Sequence, residues 1–267
     1  MMQPLLTACG TVTSTNDVAL DLLNRHAPTG TAVYAEAQTA GRGRQGRQWF
    51  SPAGCALFLS VVVRDPRLQR HLTWVPLAVG VAVATMLRHD DCIEVGIKWP
   101  NDLVVGGRKV GGILCEGAMG AGGVTGVVCG IGLNANHGLE DFPLELQLLA
   151  TSLAVVAGRT FPLNELAQRT HRAMLSELEH LLGSGPARLL PRLRELDTTT
   201  GRTVDFQNAA GDPARGRVLG IADDGGLRVA DESGHEHKLM AGEVRFVAES
   251  AAVPSVPAVP PGPPADS

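Results

Sequence analysis

Aromatic side chains and surplus positive charge are both scarce in this sequence. Phe, Trp and Tyr together make up 4% of the 267 residues, and 27 acidic residues outnumber 23 basic ones, for a formal net charge of −4. A stacking platform for RNA needs aromatic residues, and a general nucleic-acid binder needs clustered positive charge. The composition therefore argues against a general nucleic-acid-binding protein and leaves room only for a local basic loop.

Regularly spaced cysteines are missing as well. The cysteines are odd in number, contain no C-x-x-C pair and lie mostly in apolar runs, at Cys9, Cys55, Cys92, Cys115 and Cys129. A disulfide framework or a zinc site would need a more regular spacing. We therefore expect buried thiols and a cytoplasmic location, where thiols are kept reduced.

Long apolar stretches are also absent. The N-terminus shows no basic segment followed by a long apolar run, and the longest apolar run, near residues 75–87, is too short and too rich in Gly and Ala to span a bilayer. We expect neither a signal peptide nor a membrane partner. Hydrophobic residues make up 44% of the chain, which is enough for a sizeable core in one large domain, or in a large and a small one.

The first 200 residues alternate between patterns typical of strands and of helices. This alternation predicts an α+β fold with a mixed central sheet flanked by helices. The predicted strands cover residues 31–37, 55–63, 94–98, 103–105, 109–116 and 123–134, and the predicted helices start near 14–17, cover 72–88 and cover 163–182.

The remainder of the chain has a different texture. From 201 to 248, short strands alternate with turns that contain Gly and Asp, which predicts a small C-terminal β-barrel of the SH3-like kind. Residues 249–267 are rich in proline and poor in core-forming residues. They predict a disordered or polyproline II tail, with docking to a proline-reading domain as an alternative role.

Residues 36–49 (EAQTAGRGRQGRQW) are both flexible and cationic. Three glycines allow a ligand to approach the backbone, and three arginines that can clamp a phosphate or carboxylate stand between them: Gly41, Gly43, Gly46, Arg42, Arg44 and Arg47. The segment matches G-x-G-x-x-G, but a dinucleotide site needs a helix next, and residues 48–54 have the composition of a turn. A solvated or nucleic-acid-binding loop is the simpler alternative to a loop that covers an anionic intermediate.

The stretch Ser14-Thr15-Asn16-Asp17 marks the start of a helix. Ser14 and Asp17 have the spacing of a capping box, so a plain N-cap is one interpretation. The other is that hydroxyl and amide groups at a helix N-terminus bind a polar ligand. The two interpretations are compatible.

Three further positions carry candidate chemistry. In Lys98-Trp99-Pro100-Asn101-Asp102, the last two residues suit a metal-bound phosphate, although the same five residues also fit a bare turn. Lys109 begins a strand just before two glycines, where a ligand can approach the backbone; a solvated surface lysine is the alternative. Asn134 ends an apolar strand among glycines, as a nucleotide contact or as a turn-forming residue.

Taken together, these stretches resemble the biotin protein ligases. The motifs occur in the order of that family, as S-T-N-D at 14–17, E-A-Q-T-A-G-R-G-R-Q-G-R-Q-W at 36–49, K-W-P-N-D at 98–102, R-K-V-G-G-I-L at 108–114 and G-I-G-L-N-A-N at 130–136. The resemblance covers residues from about 10 to 248 and leaves out the proline-rich tail. It implies a catalytic domain similar to class II synthetases in residues 1–200, followed by the small SH3-like domain.

The resemblance also implies a reaction and a set of site residues. Biotin protein ligases make biotinoyl-5′-adenylate from biotin and MgATP, and pass the biotinoyl group to one lysine of a biotin carboxyl carrier domain. The implied catalytic residues are Lys109 and Arg42. The implied biotin contacts are Ser14, Thr15, Asn16, Gln38, Arg42, Gly43, Arg44, Lys109 and Gly112. The implied ATP contacts are Arg44, Arg47, Trp49, Lys98, Asn101, Asp102 and Asn134, and Asp102 is also implied beside the Mg²⁺ that the nucleotide phosphates carry.

Two alternatives and three expectations about partners accompany this interpretation. The alternatives are a lipoate or octanoate ligase on the same scaffold and a non-catalytic biotin-binding module. Family members that repress transcription carry an N-terminal helix-turn-helix, but only thirteen residues precede Ser14 here, so we expect no DNA binding. We expect a biotin carboxyl carrier domain as partner, and an edge of the sheet could pair two copies into a homodimer.

Overall fold

The computed structural model describes residues 5–120, 123–240, 242 and 244–247. Two short strands, β2 (Thr11–Val12) and β4 (Ala37–Gln38), pair in parallel beside a main sheet of seven strands. The strands of the main sheet are β1 (Leu6–Ala8), β3 (Ala32–Ala35), β5 (Ala56–Val63), β6 (Gly96–Lys98), β7 (Asp102–Val105), β8 (Arg108–Gly120) and β9 (Gly123–Asn134). Their order is β1-β3-β5-β9-β8-β7-β6, in which β1 and β3 run parallel and the other neighbours antiparallel.

Helices cover both faces of this sheet. They are α1 (Thr15–Asn24), α2 (Val75–Asp91), α3 (Leu153–Ala157), α4 (Leu163–Ser184) and α5 (Leu189–Leu196). In β5, Leu59 and Val61 join the main core with residues of α2 and α4, whereas Val62 packs against Ala19 and Leu23 of α1. Burial on both faces explains why β5 is a continuous apolar run, and each such buried side chain stabilises the fold by about 1.5–3 kcal/mol.

Side chains along β9 alternate between the two faces of the sheet, and this alternation leaves space for the functional site. Cys129, Ile131 and Leu133 point into the main core, so the positions between them face the side of the sheet that carries α1. Two of those positions are Gly130 and Gly132, which have no side chain. The sheet therefore has a hollow next to the N-terminus of α1, where a ligand or a neighbouring side chain can reach the backbone.

The C-terminal part forms a second, antiparallel sheet of five strands. These are β10 (Thr203–Gln207), β11 (Pro213–Ile221), β12 (Leu227–Asp231), β13 (Glu236–Leu239) and β14 (Arg245–Phe246), in the order β13-β12-β11-β10-β14. The predicted α+β architecture with a small SH3-like C-terminal domain is confirmed. Trp99 contacts the turn between β11 and β12 of this second sheet, because its buried indole Nε1–H donates to the carbonyl of Gly225 at 3.0 Å.

The element boundaries agree with the predictions to within a few residues. The exceptions are β1, β2 and β4, which are only two or three residues long and carry too little pattern to detect, helix α5, which lies where no helix was predicted, and helix α2, which begins at Val75 and not at residue 72. The predicted domain boundary near residue 200 falls between the end of α5 and the start of β10 and stays a prediction. The predicted disordered tail, 249–267, lies outside the described residues. No helix in the part of the chain that the structure describes has the length and apolarity of a membrane span.

Candidate active site

The N-terminus of α1 forms one wall of a cleft above the glycine hollow. Ser14 is the N-cap of the helix, and its Oγ accepts a hydrogen bond from the Asn16 N–H at 3.2 Å. Thr15 and Asn16 are buried, and the Thr15 N–H donates to Oε1 of Gln38 at 2.7 Å. The predicted N-cap is therefore confirmed, but the second half of the predicted capping box is wrong, because the carboxylate of Asp17 binds Arg42 instead of the helix start.

A buried polar network lies behind this wall. Ser60, which is fully buried in β5, places its Oγ 2.6 Å from Oδ1 of Asn16 and 2.8 Å from Oγ1 of Thr15. The Asn16 amide also donates from Nδ2 to Oε2 of Glu116 at 2.5 Å and to the Leu114 carbonyl at 3.2 Å. The side chain of Asn16 is thus oriented by two strands of the sheet, β5 and β8.

Glycines make the floor of the cleft. A Cβ atom added at Gly130 would lie 2.1 Å from Oδ1 of Asn16, and one added at Gly112 would lie 2.8 Å from the ring of Trp49. The same ring would be 3.1 Å from a Cβ at Gly132, which is the direct partner of Gly112 in the β8–β9 ladder. The indole of Trp49 therefore lies close to two backbone segments, a position that a side chain at Gly112 or Gly132 would obstruct.

The Arg/Gly loop is an ordered turn of its own. The Gly43 N–H donates to the Arg47 carbonyl at 2.6 Å, the Trp49 N–H donates to the Gly41 carbonyl at 3.0 Å, and Arg42 pairs with Gln48 in an antiparallel bridge. We call residues 41–49 the Arg/Gly hairpin. Its base is at the ends of this segment and its tip is the single 3-10 turn Arg44–Gly46.

Arg42 lies at the base of the hairpin and is held by carboxylates. Its guanidinium makes a two-pronged ion pair with Asp17, with N–O distances of 2.6 and 3.1 Å, and lies 3.6 Å from Oε2 of Glu116. The hydrogen bond from Arg42 holds the pKa of the Asp17 carboxyl below its usual range, and the same bond raises the pKa of Arg42. Both groups are about two-fifths exposed, with side-chain exposures of 39% and 41%, so solvent screens the pair.

Arg44 lies at the tip of the hairpin and spans the cleft. Its Nη1 donates to Oδ1 of Asn101 at 2.9 Å. Asn101 is itself fixed, because its Nδ2 donates to the Ile113 carbonyl at 3.1 Å and its own carbonyl accepts from the Ile113 N–H at 2.9 Å. The hairpin therefore bridges from α1 at its base to the turn between β6 and β7 at its tip.

Lys109 provides the third cation of the cleft. Its Nζ lies 2.7 Å from Oδ1 of Asp102 and 5.4 Å from the ring centroid of Trp49. The Lys109 backbone is fixed on the other side, where its N–H donates to the Leu149 carbonyl at 2.8 Å and its carbonyl accepts from the Thr151 N–H at 2.9 Å. A salt-bridged lysine whose main chain is tied at two points presents its charge at a defined place.

These elements enclose an open cleft of about 490 Å³ that includes its solvent-filled mouth. All nine residues predicted to contact biotin line it, namely Ser14, Thr15, Asn16, Gln38, Arg42, Gly43, Arg44, Lys109 and Gly112. Of the residues predicted to contact ATP, Arg44, Trp49 and Asn101 line the cleft as well. The structure thus brings together side chains that are separated by up to about a hundred residues in the sequence.

The other four predicted ATP contacts lie outside this lining. Lys98 places its Nζ 4.5 Å from the ring centroid of Phe246 in the C-terminal sheet, and Arg47 contacts Gln45 within the hairpin. Asp102 borders the cleft only through its ion pair with Lys109. Asn134 is buried, and its Nδ2 donates to the Thr151 carbonyl at 3.0 Å, so it supports the chain next to Lys109.

A second, more apolar cleft of about 800 Å³, again counted with its open mouth, adjoins the first. Its lining includes Leu72 and Trp99 of the first part of the chain and Met240, which directly follows β13. It shares Arg44 and Asn101 with the first cleft. A ligand in one cleft could therefore extend into the other past the tip of the Arg/Gly hairpin.

The residues of the cleft suit a metal ion that arrives bound to a nucleotide. They suit a metal ion that is coordinated by protein side chains alone less well. Among the described residues there is no group of three or more His, Cys, Asp and Glu side chains that could hold a metal ion. Mg²⁺ commonly uses one or two carboxylates together with substrate phosphates. Asp102 supplies one such carboxylate, next to Lys109 and Asn101, and it would need to share that position with its Lys109 partner.

Sequence reasoning missed two polar residues of the site. Ser60 is hidden in the apolar run of β5, and Glu116 follows the apolar part of β8. The only available signal was a lone hydroxyl at an alternate position of a strand that is otherwise apolar. Such a residue is expected to have a buried hydrogen-bond partner, but the sequence does not tell which one.

Comparisons with known proteins agree with this geometry. Residues 9–134 match the model of the Biotin/lipoate A/B protein ligase family, and residues 199–247 match the Biotin protein ligase C terminal domain. The second match begins close to the predicted domain boundary and ends where the described residues end.

Relatives and a solved structure that match most of the chain carry ligase names. The chain is 34% identical to the biotin--[acetyl-CoA-carboxylase] ligase of Mycobacterium tuberculosis over 87% of its length and 86% of that protein. It is 33% identical to the bifunctional ligase/repressor BirA of Bacillus subtilis, over 84% of its length and 68% of that protein. The biotin protein ligase of Aquifex aeolicus, solved in complex with biotin and ATP, superposes with a TM-score of 0.79 at 25% identity and covers 92% of this chain and 99% of its own. The chain therefore belongs to the biotin protein ligase family.

Proposed function

We propose that this protein activates biotin with MgATP to biotinoyl-5′-adenylate and then transfers the biotinoyl group to one lysine of a biotin carboxyl carrier domain. The observation that carries the proposal is the composition of the cleft. A buried network of amide and hydroxyl oxygens lies at one end, and the cations Arg44 and Lys109 lie at the other. Such a cleft suits a ligand with a neutral polar head and an anionic tail.

The oxygen-rich end of the cleft supports a head group that donates hydrogen bonds. Ser60 Oγ is close to oxygens of Asn16 and Thr15, and Thr15 Oγ1 is 3.2 Å from Oε1 of Gln38. Only the two hydroxyl hydrogens of Ser60 and Thr15 are available for these three oxygen–oxygen contacts. The oxygens of the network can therefore accept further hydrogen bonds. The cyclic urea of biotin supplies N–H donors for it, and we propose that Ser14, Thr15, Asn16 and Gln38 bind this group.

The cationic end supports chemistry between two anions. In the first step a carboxylate oxygen of biotin would attack the α-phosphorus of ATP, a new O–P bond would form, and the P–O bond to pyrophosphate would break. The carboxylate and the phosphate repel each other, so fixed positive charge lowers the barrier by positioning both and by stabilising the developing charge. The predicted catalytic residues are Lys109 and Arg42. We propose that Lys109 and Arg44 supply this charge directly, and that Arg42, whose guanidinium is engaged by Asp17, contributes from the border of the cleft.

In the second step the amine of the acceptor lysine would attack the carbonyl carbon of the adenylate. An amide bond forms, the bond to AMP breaks, and the amine loses a proton. Lys109 is placed to stabilise the oxyanion at that carbon. The Arg/Gly hairpin would cover the mixed anhydride and protect it from water. We propose that Gly43 and Gly112 let the intermediate lie close to the backbone at these two positions.

The nucleotide is proposed to lie beside Trp49, Asn101 and Arg44, with Arg47, Lys98, Asp102 and Asn134 as further predicted contacts. Mg²⁺ would be held by the nucleotide phosphates and Asp102, where it would reduce the negative charge of the pyrophosphate leaving group. We further propose a cytoplasmic location, in keeping with five free cysteines, and an association into homodimers through an edge of the main sheet.

A biotin-dependent release of pyrophosphate from ATP tests the first step. We expect release with biotin, and little with lipoate or octanoate. Those two acids bring no hydrogen-bond donors to the polar network, so the spare acceptor capacity of its oxygens would stay unused. Release with octanoate or lipoate but not with biotin would move the assignment to that class of ligase. Binding of biotin without any pyrophosphate release would point to a non-catalytic biotin-binding module.

A further inference from the structure

The Arg/Gly hairpin is fixed at its two ends by contacts of different kinds. At the tip, Arg44 donates to a neutral amide of Asn101 at 2.9 Å. At the base, Arg42 forms a two-pronged ion pair with Asp17 at 2.6 and 3.1 Å. A charged, forked pair is the stronger and more directional of the two contacts. An anionic ligand can therefore replace the contact at the tip more easily than the one at the base.

The charges around Arg42 also make it a poor phosphate ligand. Asp17 binds it directly, and Oε2 of Glu116 lies 3.6 Å from its Nη2, so one positive charge faces two carboxylates. A phosphate brought to this guanidinium would have to approach a group of three charges whose sum is negative. The geometry suits Arg42 to holding the hairpin and leaves contact with the phosphate to other cations of the cleft.

The same two carboxylates also lie next to Asn16, which is proposed to bind the head group of biotin. Asp17 follows Asn16 in the first turn of α1, and Glu116 accepts a hydrogen bond from Nδ2 of Asn16 at 2.5 Å. The three charged groups thus connect the hairpin, helix α1 and strand β8 around Asn16. A movement of the hairpin at its base would disturb the orientation of the Asn16 amide.

We propose that Arg42 is a positioning residue, and that Asp17 and Glu116 hold its guanidinium so that the base of the Arg/Gly hairpin stays closed over bound acyl-adenylate. This inference rests on the proposed function. It assigns to Asp17 and Glu116 a role in retaining the intermediate between the two chemical steps. The hairpin, which is internally hydrogen-bonded between Gly43 and Arg47, would open as a unit about this anchored base.

The test uses the full chain with Asp17→Asn, which keeps the shape of the side chain and removes its charge. Purified protein is loaded with biotin and MgATP, separated from free ligand, and the loss of bound adenylate is followed over time. We expect Asp17→Asn to release adenylate about two- to fivefold faster and to raise the KM for biotin by a similar factor, the range that a partly exposed ion pair supports. The rate of the first step in a single turnover should change less than twofold.

Two further variants separate positioning from a general structural effect. Asp21→Asn removes a carboxylate from the same helix, where it pairs with Arg25, and should release adenylate as the unchanged protein does. Asp17→Glu retains a carboxylate and should recover part of the retention. Arg42→Gln should resemble Asp17→Asn, and the double variant should lose little more than either single one, because all three remove the same ion pair.

Three outcomes would overturn the inference. One is equal release from the Asp17→Asn and Asp21→Asn variants. Another is additive losses in the double variant. The third is a first step abolished by Arg42→Gln but not by Asp17→Asn, which would make Arg42 a direct contact of the reacting phosphate. If the unchanged protein forms no adenylate from biotin, the proposed function fails, and the inference fails with it.

Discussion

Asn16 occupies the space that a side chain at Gly130 would need. A Cβ atom at Gly130 would lie 2.1 Å from Oδ1 of Asn16, and within 3.0 Å of the other two atoms of its amide group. The glycine in β9 and the amide at the start of α1 therefore depend on each other. One backbone position without a side chain lets a helix present its first polar residues to the sheet.

Gly130→Ala should displace Asn16 and weaken biotin binding strongly. The new methyl group would overlap the buried amide, which must then give up its hydrogen bonds to Ser60 and Glu116. We expect at least a tenfold rise in the Kd for biotin, measured by calorimetry, because leaving buried polar groups unsatisfied costs about 1–3 kcal/mol. Gly117→Ala is the matched control, since its Cβ would lie 3.8 Å from the nearest atom, a side-chain carbon of Val124. Equal affinity in both variants would speak against this coupling.

Ser60→Ala should reduce both stability and biotin affinity. The hydroxyl of Ser60 is fully buried and is the hydrogen-bond partner of Asn16 and Thr15. Its removal should lower the free energy of unfolding by about 1–3 kcal/mol in a denaturant titration and raise the Kd for biotin. Thr125→Ala removes an exposed hydroxyl that bonds the Ala118 carbonyl and should change neither quantity measurably. A Ser60→Ala protein with unchanged biotin affinity would remove Ser60 from the site.

Lys109→Ala should reduce adenylation to a small residual rate while leaving the fold intact. The lysine side chain is 38% exposed, so the loss of its ion pair with Asp102 should cost at most about 1 kcal/mol of stability. We expect pyrophosphate release to fall by about 10²–10³, the effect of removing one preorganised charge from a reacting group. Lys238→Ala removes a comparable ion pair with Asp224 in the C-terminal sheet and should retain activity. Turnover by Lys109→Ala close to that of the unchanged protein would contradict a catalytic role.

The stability of the protein should fall in mild acid, in part through His171. This residue is buried in α4, and its Nε2–H donates to the Gly30 carbonyl at 2.9 Å. Burial lowers its pKa below 6.5, so the folded protein keeps it neutral while the unfolded chain takes up a proton. Its contribution to stability is therefore complete above about pH 6.5 and decreases as the pH falls from there towards the lowered pKa.

His171→Gln should make the stability less sensitive to pH. Glutamine retains a donor for the Gly30 carbonyl and does not titrate. We expect the melting temperature of this variant to fall less than that of the unchanged protein between about pH 7.5 and about pH 5.5. Some dependence should remain, because burial also lowers the pKa of His137. An identical decrease in both proteins would show that His171 does not contribute.

Much of the site could be predicted from sequence because its residues cluster in short polar motifs within apolar surroundings. Thr15 and Asn16 stand at a helix start, and Arg42 and Arg44 stand between glycines, so residue type and local structure point to the same places. Gly130 and Gly132 also indicated the site, because glycines in an otherwise apolar strand mark a place where a ligand can approach the backbone. The mixed sheet followed from strand patterns that are long enough to detect.

Other features depend on contacts that no local pattern encodes. Asp17 has the spacing of a capping residue, yet it binds Arg42, which is 25 positions away, because the Arg/Gly hairpin folds back onto α1. Lys98 shares a five-residue motif with Asn101, but its side chain extends from the end of β6 to Phe246 of the C-terminal sheet. Strand pairing and chain reversal decide these neighbours, and both are set by the whole fold.

The central claim is most directly tested by mixing the purified protein with biotin, MgATP and a biotin carboxyl carrier domain and measuring the mass of the carrier. The account predicts a gain of one biotinoyl group on a single lysine, which is lost when Lys109→Ala replaces the unchanged protein. A carrier of unchanged mass, under conditions in which pyrophosphate is released, would contradict the proposed acceptor. Unchanged mass with no pyrophosphate released would contradict the ligase reaction itself.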